Sequence, residues 1–134
     1  MTKQIMIVDD DPDIITSIKV GLNVLTNKYE ITSANTGKEC IEKLKNEEVK
    51  KPDLIVLDIM MPDISGWDIL DIIKNNRAWK EIPIVFITAL DDEETIEKGI
   101  KTNSYCIRKP FRIEELKETI EKVLEGDQVK DTIF

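Results

Sequence analysis

Four short runs of this chain are apolar at nearly every position, and each is followed at once by polar residues. The runs are Ile5–Val8, Leu54–Leu57, Ile84–Ile87 and the weaker Tyr105–Ile107. A strand that is apolar on both faces is buried on both sides, which is typical of a parallel sheet covered by helices. The runs therefore favour an α/β fold built around such a sheet.

Segments with helical periodicity alternate with these runs. In the first segment, apolar residues recur on one face at Ile14, Ile18, Leu22 and Leu25; four later segments show the same periodicity. The β-favouring piece at residues 29–32 is compatible with an additional, outer strand. The βα unit is thus repeated five times. With right-handed crossovers, this repeat predicts a three-layer sandwich with helices on both faces of the sheet.

Composition excludes several classes of function. The 134 residues suffice for one domain, and 27 acidic against 19 basic residues give a formal net charge of -8. This balance argues against nucleic-acid binding, because proteins that bind the phosphate backbone cluster Lys and Arg. The chain has no histidine, so imidazole cannot serve as base, phosphoryl carrier or metal ligand.

Cysteine usage and hydropathy predict where the protein works. Cys40 and Cys106 lie far apart, which predicts two free buried thiols in a reducing compartment. No apolar run approaches the roughly 18 residues of a membrane span, and the N-terminus leads directly into a strand pattern rather than a signal peptide. We expect a cytoplasmic protein that does not contact the membrane.

Polar residues with related chemistry follow the apolar runs. Asp9 and Asp10 follow the first run, Asp58 follows Leu57, Thr88 follows Ile87, and Lys109 comes shortly after the last run. Ligands of such sheets bind beyond the carboxyl ends of the strands. Clustered carboxylates repel one another unless a cation lies among them, and Mg²⁺ prefers such oxygen ligands. A carboxylate held in this way can act as a nucleophile toward a phosphoryl group, whose charge an ammonium and a hydroxyl would stabilise.

The same positions carry a family resemblance. Four segments resemble, in order, the motifs of the receiver domain of bacterial and archaeal two-component response regulators: Ile7–Asp11, Leu57–Pro62 with Gly66, Ile87–Ala89 and Lys109–Phe111. The resemblance implies a flavodoxin-like, doubly wound five-stranded parallel sheet in the order 2-1-3-4-5. It places a receiver domain at residues 1–125 and a short C-terminal tail, or the start of a linker, at residues 126–134.

The resemblance also implies a role for each polar residue. Asp58 would accept a phosphoryl group from a phosphohistidine of a histidine kinase or a histidine phosphotransfer protein. Mg²⁺ would be held by Asp10 directly, by Asp9 through water, by Asp58, and by the main-chain carbonyl of Met60. Lys109 would pair with the phosphoryl oxygens, and its bond to the following proline would be cis. The domain would catalyse its own phosphorylation and dephosphorylation without turning over a separate substrate.

The resemblance also implies a conformational switch that responds to phosphorylation. Thr88 would turn toward the phosphoryl group and report it to the surface of the fourth helix, fifth strand and fifth helix, which would bind an effector or a second receiver. The family usually has an aromatic residue three positions before the lysine, where this chain has Cys106, with Tyr105 one position earlier. Because strand side chains alternate, Tyr105 is expected to point to the other face, and both residues remain candidates for the switch.

Other functions stay open. A small Mg²⁺-dependent phosphohydrolase of the haloacid-dehalogenase type would use Asp9 as nucleophile and Asp11 as general acid, but Asp13 stands where its motif requires Thr. A degenerate receiver that only binds proteins is disfavoured, because every expected functional group is present.

Three apolar residues of the first helix are candidates for docking a kinase or phosphotransfer helix. Val20 and Val24 lie off the main apolar face, and Ile15 lies at its margin. The alternative interpretation, which the sequence favours, is that they are scattered apolar residues of an ordinary surface.

Overall fold

The computed structural model describes residues 2–47, 49–89, 93–101 and 104–126. Of the expected tail at 126–134, residues 127–134 lie outside these residues. Within them, strands and helices alternate along the chain, as the sequence predicts. The strands are β1 (Lys3–Val8), β2 (Tyr29–Ala34), β3 (Leu54–Asp58), β4 (Ile84–Thr88) and β5 (Tyr105–Arg108). The helices are α1 (Pro12–Leu25), α2 (Gly37–Lys45), α3 (Gly66–Lys74), α4 (Glu93–Lys101) and α5 (Ile113–Leu124).

The strands form a single parallel sheet in the order β2-β1-β3-β4-β5. All four neighbouring pairs are parallel. This order confirms the flavodoxin-like topology. The strand order reverses direction between β1 and β3, so the loops that follow these two strands lead to opposite faces and leave a crevice between them.

Alternating side chains of the strands face two separate hydrophobic clusters. One cluster joins the sheet to α2 and α3, and its members include Met6, Ile55, Phe86, Cys106, Leu44 and Ile69. The other joins the sheet to α1 and α5, and its members include Ile7, Val56, Val85, Tyr105, Leu22 and Leu116. Helices therefore cover both faces, as the nearly continuous apolar strands predict.

The first helices begin where polar capping residues stand in the sequence. Asp11 caps α1, with Oδ1 accepting a hydrogen bond from the amide of Asp13, and Pro12 lies in the first turn. Thr36 and Ser65 cap α2 and α3 in the same way. These caps satisfy amide groups that have no partner within the helix. They also fix where the loops beyond β1, β2 and β3 end.

The buried face of α1 differs from the predicted one. Ile15 lies in the core with 5% of its surface exposed, whereas Leu25 is 38% exposed. The prediction that Ile15 lies at the margin is therefore wrong. The predicted face, which includes Leu25, and the observed face, which includes Ile15, both satisfy helical spacing. Only the packing of the helix on the sheet selects between them. Val20 and Val24 are 58% and 79% exposed, off the apolar face as expected.

No helix among the residues that the structure describes is long and apolar enough to cross a membrane.

Candidate functional site

Three carboxylates meet at the carboxyl edge of the sheet. Asp9 and Asp10 follow β1. Asp58 is the last residue of β3, the strand next to β1 in the sheet. Val8 and Leu57 are paired in the register of these strands, so the residues that follow them are adjacent. One carboxylate oxygen from each of the three aspartates lies within 4.8 Å of the others. The structure therefore brings together the side chains that the sequence predicts as a cation site.

These carboxylates differ in burial and in how they are held. Asp9 is fully buried, Asp58 is 3% exposed and Asp10 is exposed. Oδ1 of Asp9 accepts a hydrogen bond from the amide of Asp11 at 2.9 Å. Oδ1 of Asp58 accepts one from the amide of Met60 at 3.1 Å. One oxygen of each buried carboxylate is therefore held by its own loop.

Lys109 connects the two buried carboxylates. Its Nζ lies 2.9 Å from Oδ2 of Asp9 and 3.4 Å from Oδ2 of Asp58. Its amide donates to the carbonyl of Thr88 at 2.7 Å, which fixes the loop after β5 against the end of β4. The Lys109–Pro110 bond is cis, as predicted. One ammonium group thus pairs with two of the three clustered carboxylates, and the cluster retains an excess of negative charge.

The pKa values of Asp58 and Lys109 reflect this charge balance. Burial, and after it the charge of Asp9, raise the pKa of Asp58 from 3.8 to about 6, although Lys109 and the hydrogen bond from the Met60 amide act to lower it. Burial lowers the pKa of Lys109, but its hydrogen bonds and charge interactions with Asp9 and Asp58 outweigh this and raise it above its ordinary value. The donor set therefore fits a divalent cation: hard oxygen ligands are clustered, with too little positive charge to balance them.

Replacing Asp58 with Asn is expected to stabilise the metal-free protein at neutral pH. Because the folded-state pKa lies above the unfolded one, the native state binds more protons, and stability falls as the pH rises from about 4 to about 6. The shift corresponds to at most about 3 kcal/mol, and the amide, which cannot ionise, removes this cost. We expect the variant to gain about 1–2 kcal/mol at pH 7.5 and almost nothing at pH 4.

Urea unfolding in EDTA measures this difference. Asp71→Asn, on the exposed side of α3, provides the same substitution away from the cluster and should leave stability unchanged at both pH values. An equal gain from Asp58→Asn at pH 4 and pH 7.5 would contradict the assigned cause.

The candidate switch residues lie on opposite faces of the sheet. Thr88 is buried at the end of β4, two residues after Phe86, so the two side chains point to the same face. Cys106 is paired with Phe86 in the register and belongs to the same hydrophobic cluster, the one that joins the sheet to α2 and α3. Tyr105 belongs to the cluster beneath α1 and α5. The alternation predicted for Tyr105 is confirmed, and Cys106 is the one that shares a face with Thr88.

Sequence reasoning missed how two residues support this site. Gly66, quoted only as part of a motif, lies against the main chain of Asp58: a Cβ at this position would be 2.6 Å from the Asp58 carbonyl oxygen. Asp63 was not singled out, although its carboxylate binds amides at the start of α2. An acidic residue after a proline in a loop is compatible with many roles, and its partners lie 25 and 26 residues away in the chain.

Comparison with known proteins agrees with the fold and the motifs. Residues 5–121 match the family model for the response regulator receiver domain. The chain belongs to this family. It is therefore a receiver domain of the kind found in two-component systems.

Similar receiver domains occur within longer proteins. The chain is 33% identical over 131 residues to a probable cyclic di-GMP phosphodiesterase of Vibrio cholerae, covering 97% of this chain and 28% of that protein. It is 32% identical to the alkaline phosphatase synthesis transcriptional regulatory protein PhoP of Bacillus subtilis, covering 96% of this chain and 51% of PhoP. The chain thus spans about half or less of the length of these relatives.

Solved receiver structures show the same fold. The CheY-like receiver domain of Methanospirillum hungatei superposes with a TM-score of 0.79 at 28% identity, covering 93% of this chain and 95% of that one.

Proposed function

We propose that this receiver domain accepts a phosphoryl group on Asp58 from a phosphohistidine of a partner, with Mg²⁺ bound by Asp9, Asp10, Asp58 and the carbonyl of Met60. The observation that carries this proposal is the cluster of three carboxylates within 4.8 Å, with Lys109 bridging the two buried ones. These 134 residues contain no histidine, so the phosphohistidine would lie outside them, on a histidine kinase or a histidine phosphotransfer protein. Mg²⁺ would neutralise the carboxylates and the phosphoryl oxygens during transfer.

Asp58 is better placed than Asp9 to act as the nucleophile. Both oxygens of Asp9 are engaged, Oδ1 by the amide of Asp11 and Oδ2 by Lys109 at 2.9 Å. Oδ2 of Asp58 is bound less closely, at 3.4 Å from the same ammonium. This oxygen would attack phosphorus while the bond to the donor imidazole nitrogen breaks, and the imidazole would leave with a proton from solvent. Asp11, the general acid of the phosphohydrolase alternative, already caps α1.

Lys109 and Thr88 would stabilise the negative charge of the transferred phosphoryl group. The Lys109 ammonium already contacts the attacking carboxylate and would pair with a phosphoryl oxygen. Thr88 ends β4, next to Asp58 in the sheet, and its hydroxyl would bind a second oxygen. Phosphorylation adds about -1.5 to -2 charge. Movement of Thr88 toward this charge would open space near Cys106, on the same face, and alter the surface formed by α4, β5 and α5.

An apolar surface beside the site supports a protein as the donor. A cavity of about 350 Å³ lies between the first turns of α1 and the loop after β5. Ile14, Ile18 and Phe111 line it, and Lys109 forms part of its wall. A phosphohistidine presented on an apolar helix would reach Asp58 from this side. The exposed Val20 and Val24 extend the apolar character of α1 away from the cavity and are proposed as part of the same docking surface.

We further propose that the domain comprises residues 1–125, works in the cytoplasm and turns over no separate substrate. Both cysteines are buried free thiols, in keeping with a reducing compartment. Its phosphorylated surface would bind a downstream effector or a second receiver.

Phosphoryl mapping tests the proposed function. The protein is incubated with acetyl phosphate and Mg²⁺, reduced with borohydride and analysed by peptide mass spectrometry. We expect aspartate-to-homoserine conversion at Asp58, and none after incubation in EDTA. Conversion at Asp9, accompanied by steady turnover of p-nitrophenyl phosphate, would instead identify the phosphohydrolase of the haloacid-dehalogenase type.

A further inference from the structure

The carboxylate of Asp63 joins two loops of the molecule. Asp63 lies between β3 and α3, in the loop that also contains Met60. Its Oδ1 accepts a hydrogen bond from the amide of Gly37 at 3.2 Å, and its Oδ2 accepts one from the amide of Lys38 at 3.0 Å. These are amides of the first turn of α2, which already has its own cap in Thr36. Asp63 therefore adds a bond between elements rather than replacing a missing cap.

The carboxylate of Asp63 is charged when it makes these hydrogen bonds. Burial is the largest single influence and raises the pKa of Asp63, but the hydrogen bonds from the amides of Lys38, Ile64, Gly37 and Asp63 itself together outweigh it and hold the pKa below its ordinary value. The side chain therefore stays charged at neutral pH. A carboxylate at the positive end of a helix is favourable for the same reason.

The segment that Asp63 binds, at the junction of β2 and α2, is also hydrogen-bonded to the loop of the acidic cluster. The carbonyl of Ala34, where β2 ends, accepts a hydrogen bond from the amide of Asp9 at 3.2 Å. The junction between β2 and α2 thus touches the loop after β1 through Asp9 and the loop after β3 through Asp63. It connects these two loops through hydrogen bonds, and both loops carry proposed ligands of Mg²⁺.

The loop of Met60 is closed at its base, and Asp63 binds it to the start of α2 further along. The amide of Gly66 donates to the carbonyl of Ile59 at 2.8 Å, which closes the base of the loop. The amide of Met60 donates to Oδ1 of Asp58. A main-chain carbonyl has no side-chain torsions with which to reach a cation, so its place is set by the loop alone. Mg²⁺ demands nearly octahedral geometry with short bonds, and small displacements of this carbonyl therefore weaken binding.

We propose that Asp63 is a positioning residue: it clamps the loop of Met60 to the start of α2 and thereby sets the place of the Met60 carbonyl in the cation site. This inference rests on the proposed function for the role of Met60. The clamp itself is a property of the protein without metal, so it can be tested separately.

The test compares Asp63→Ala with Thr36→Ala. Both substitutions remove a hydrogen-bond acceptor from the first turn of α2, but only the first cuts the link to the loop of Met60. We expect Asp63→Ala to raise the Kd for Mg²⁺ at least 5-fold by isothermal titration calorimetry, and Thr36→Ala to change it less than 2-fold. Asp63→Asn keeps one acceptor oxygen and should give an intermediate Kd. This milder variant serves if the alanine protein does not fold.

Amide hydrogen exchange in EDTA supplies a readout that needs neither metal nor phosphoryl transfer. The amides of Met60 and Gly66 should exchange at least 5-fold faster in Asp63→Ala than in Thr36→Ala. Equal Kd values and equal exchange rates in the two variants would overturn the positioning role and leave Asp63 as an ordinary helix cap. If the wild-type protein took up no phosphoryl group, the proposed function would fail, while the exchange comparison would still decide whether the clamp exists.

Discussion

Asp58→Asn is expected to lose phosphorylation by acetyl phosphate in Mg²⁺, with an initial rate reduced by about 100-fold or more. The amide that replaces the carboxylate is a poor nucleophile and cannot form the acyl phosphate. Asn has nearly the shape of Asp, and the same substitution removes a buried charge from an acidic cluster. We therefore expect this variant to be at least as stable as the wild type, so the lost labelling cannot be attributed to unfolding.

Labelling with radioactive acetyl phosphate, followed by acid-quenched electrophoresis, measures this rate. Asp71→Asn is the matched control, since it makes the same substitution on the exposed side of α3 and should label like the wild type. Asp9→Asn adds a second comparison, because a cation ligand should slow labelling without removing the acceptor. If Asp58→Asn labels at the wild-type rate, Asp58 is not the acceptor.

Gly66→Ala is expected to lower the free energy of unfolding by about 2–3 kcal/mol. Gly66 is the first residue of α3. A Cβ there would lie 2.6 Å from the carbonyl oxygen of Asp58 and 2.8 Å from Cα of Ile59. Both are main-chain atoms, which cannot rotate out of the way as a side chain can. The helix must move away from β3, or the end of β3 must move, and either shift disturbs the carboxylate of Asp58.

Gly37→Ala provides the matched control for this steric effect. Gly37 is also buried and is the first residue of α2, but its added Cβ would meet Cδ1 of Ile69 at 2.6 Å, the far end of a flexible side chain. We expect a loss of less than about 1 kcal/mol there. Urea unfolding of both variants gives the comparison. Equal losses at the two positions would mean that glycine matters here for helix initiation rather than for its close approach to Asp58.

Much of the fold follows from local patterns. Strands such as Ile84–Ile87 are apolar on both faces, so each must be covered by helices on both sides. Because the sheet is parallel, the carboxyl ends of all its strands lie at one edge. Asp9 and Asp58 must then meet there if their strands are neighbours. The order that makes them neighbours came from the family motifs rather than from periodicity, because apolar strands do not specify their partners.

Sequence alone therefore determined the class of fold, the edge at which chemistry occurs and the residue types gathered there. Each of these depends on the period of side chains along a strand or helix, which can be read over a few residues. Tertiary structure decided the rest: that Ile15 is buried, and that Gly66 and Asp63 support the acidic loops. These depend on helix placement and on contacts between distant segments. Such contacts stabilise the protein through close packing and through hydrogen bonds to amides that have no partner within their own helix. Neither kind of contact leaves a repeating pattern in the sequence.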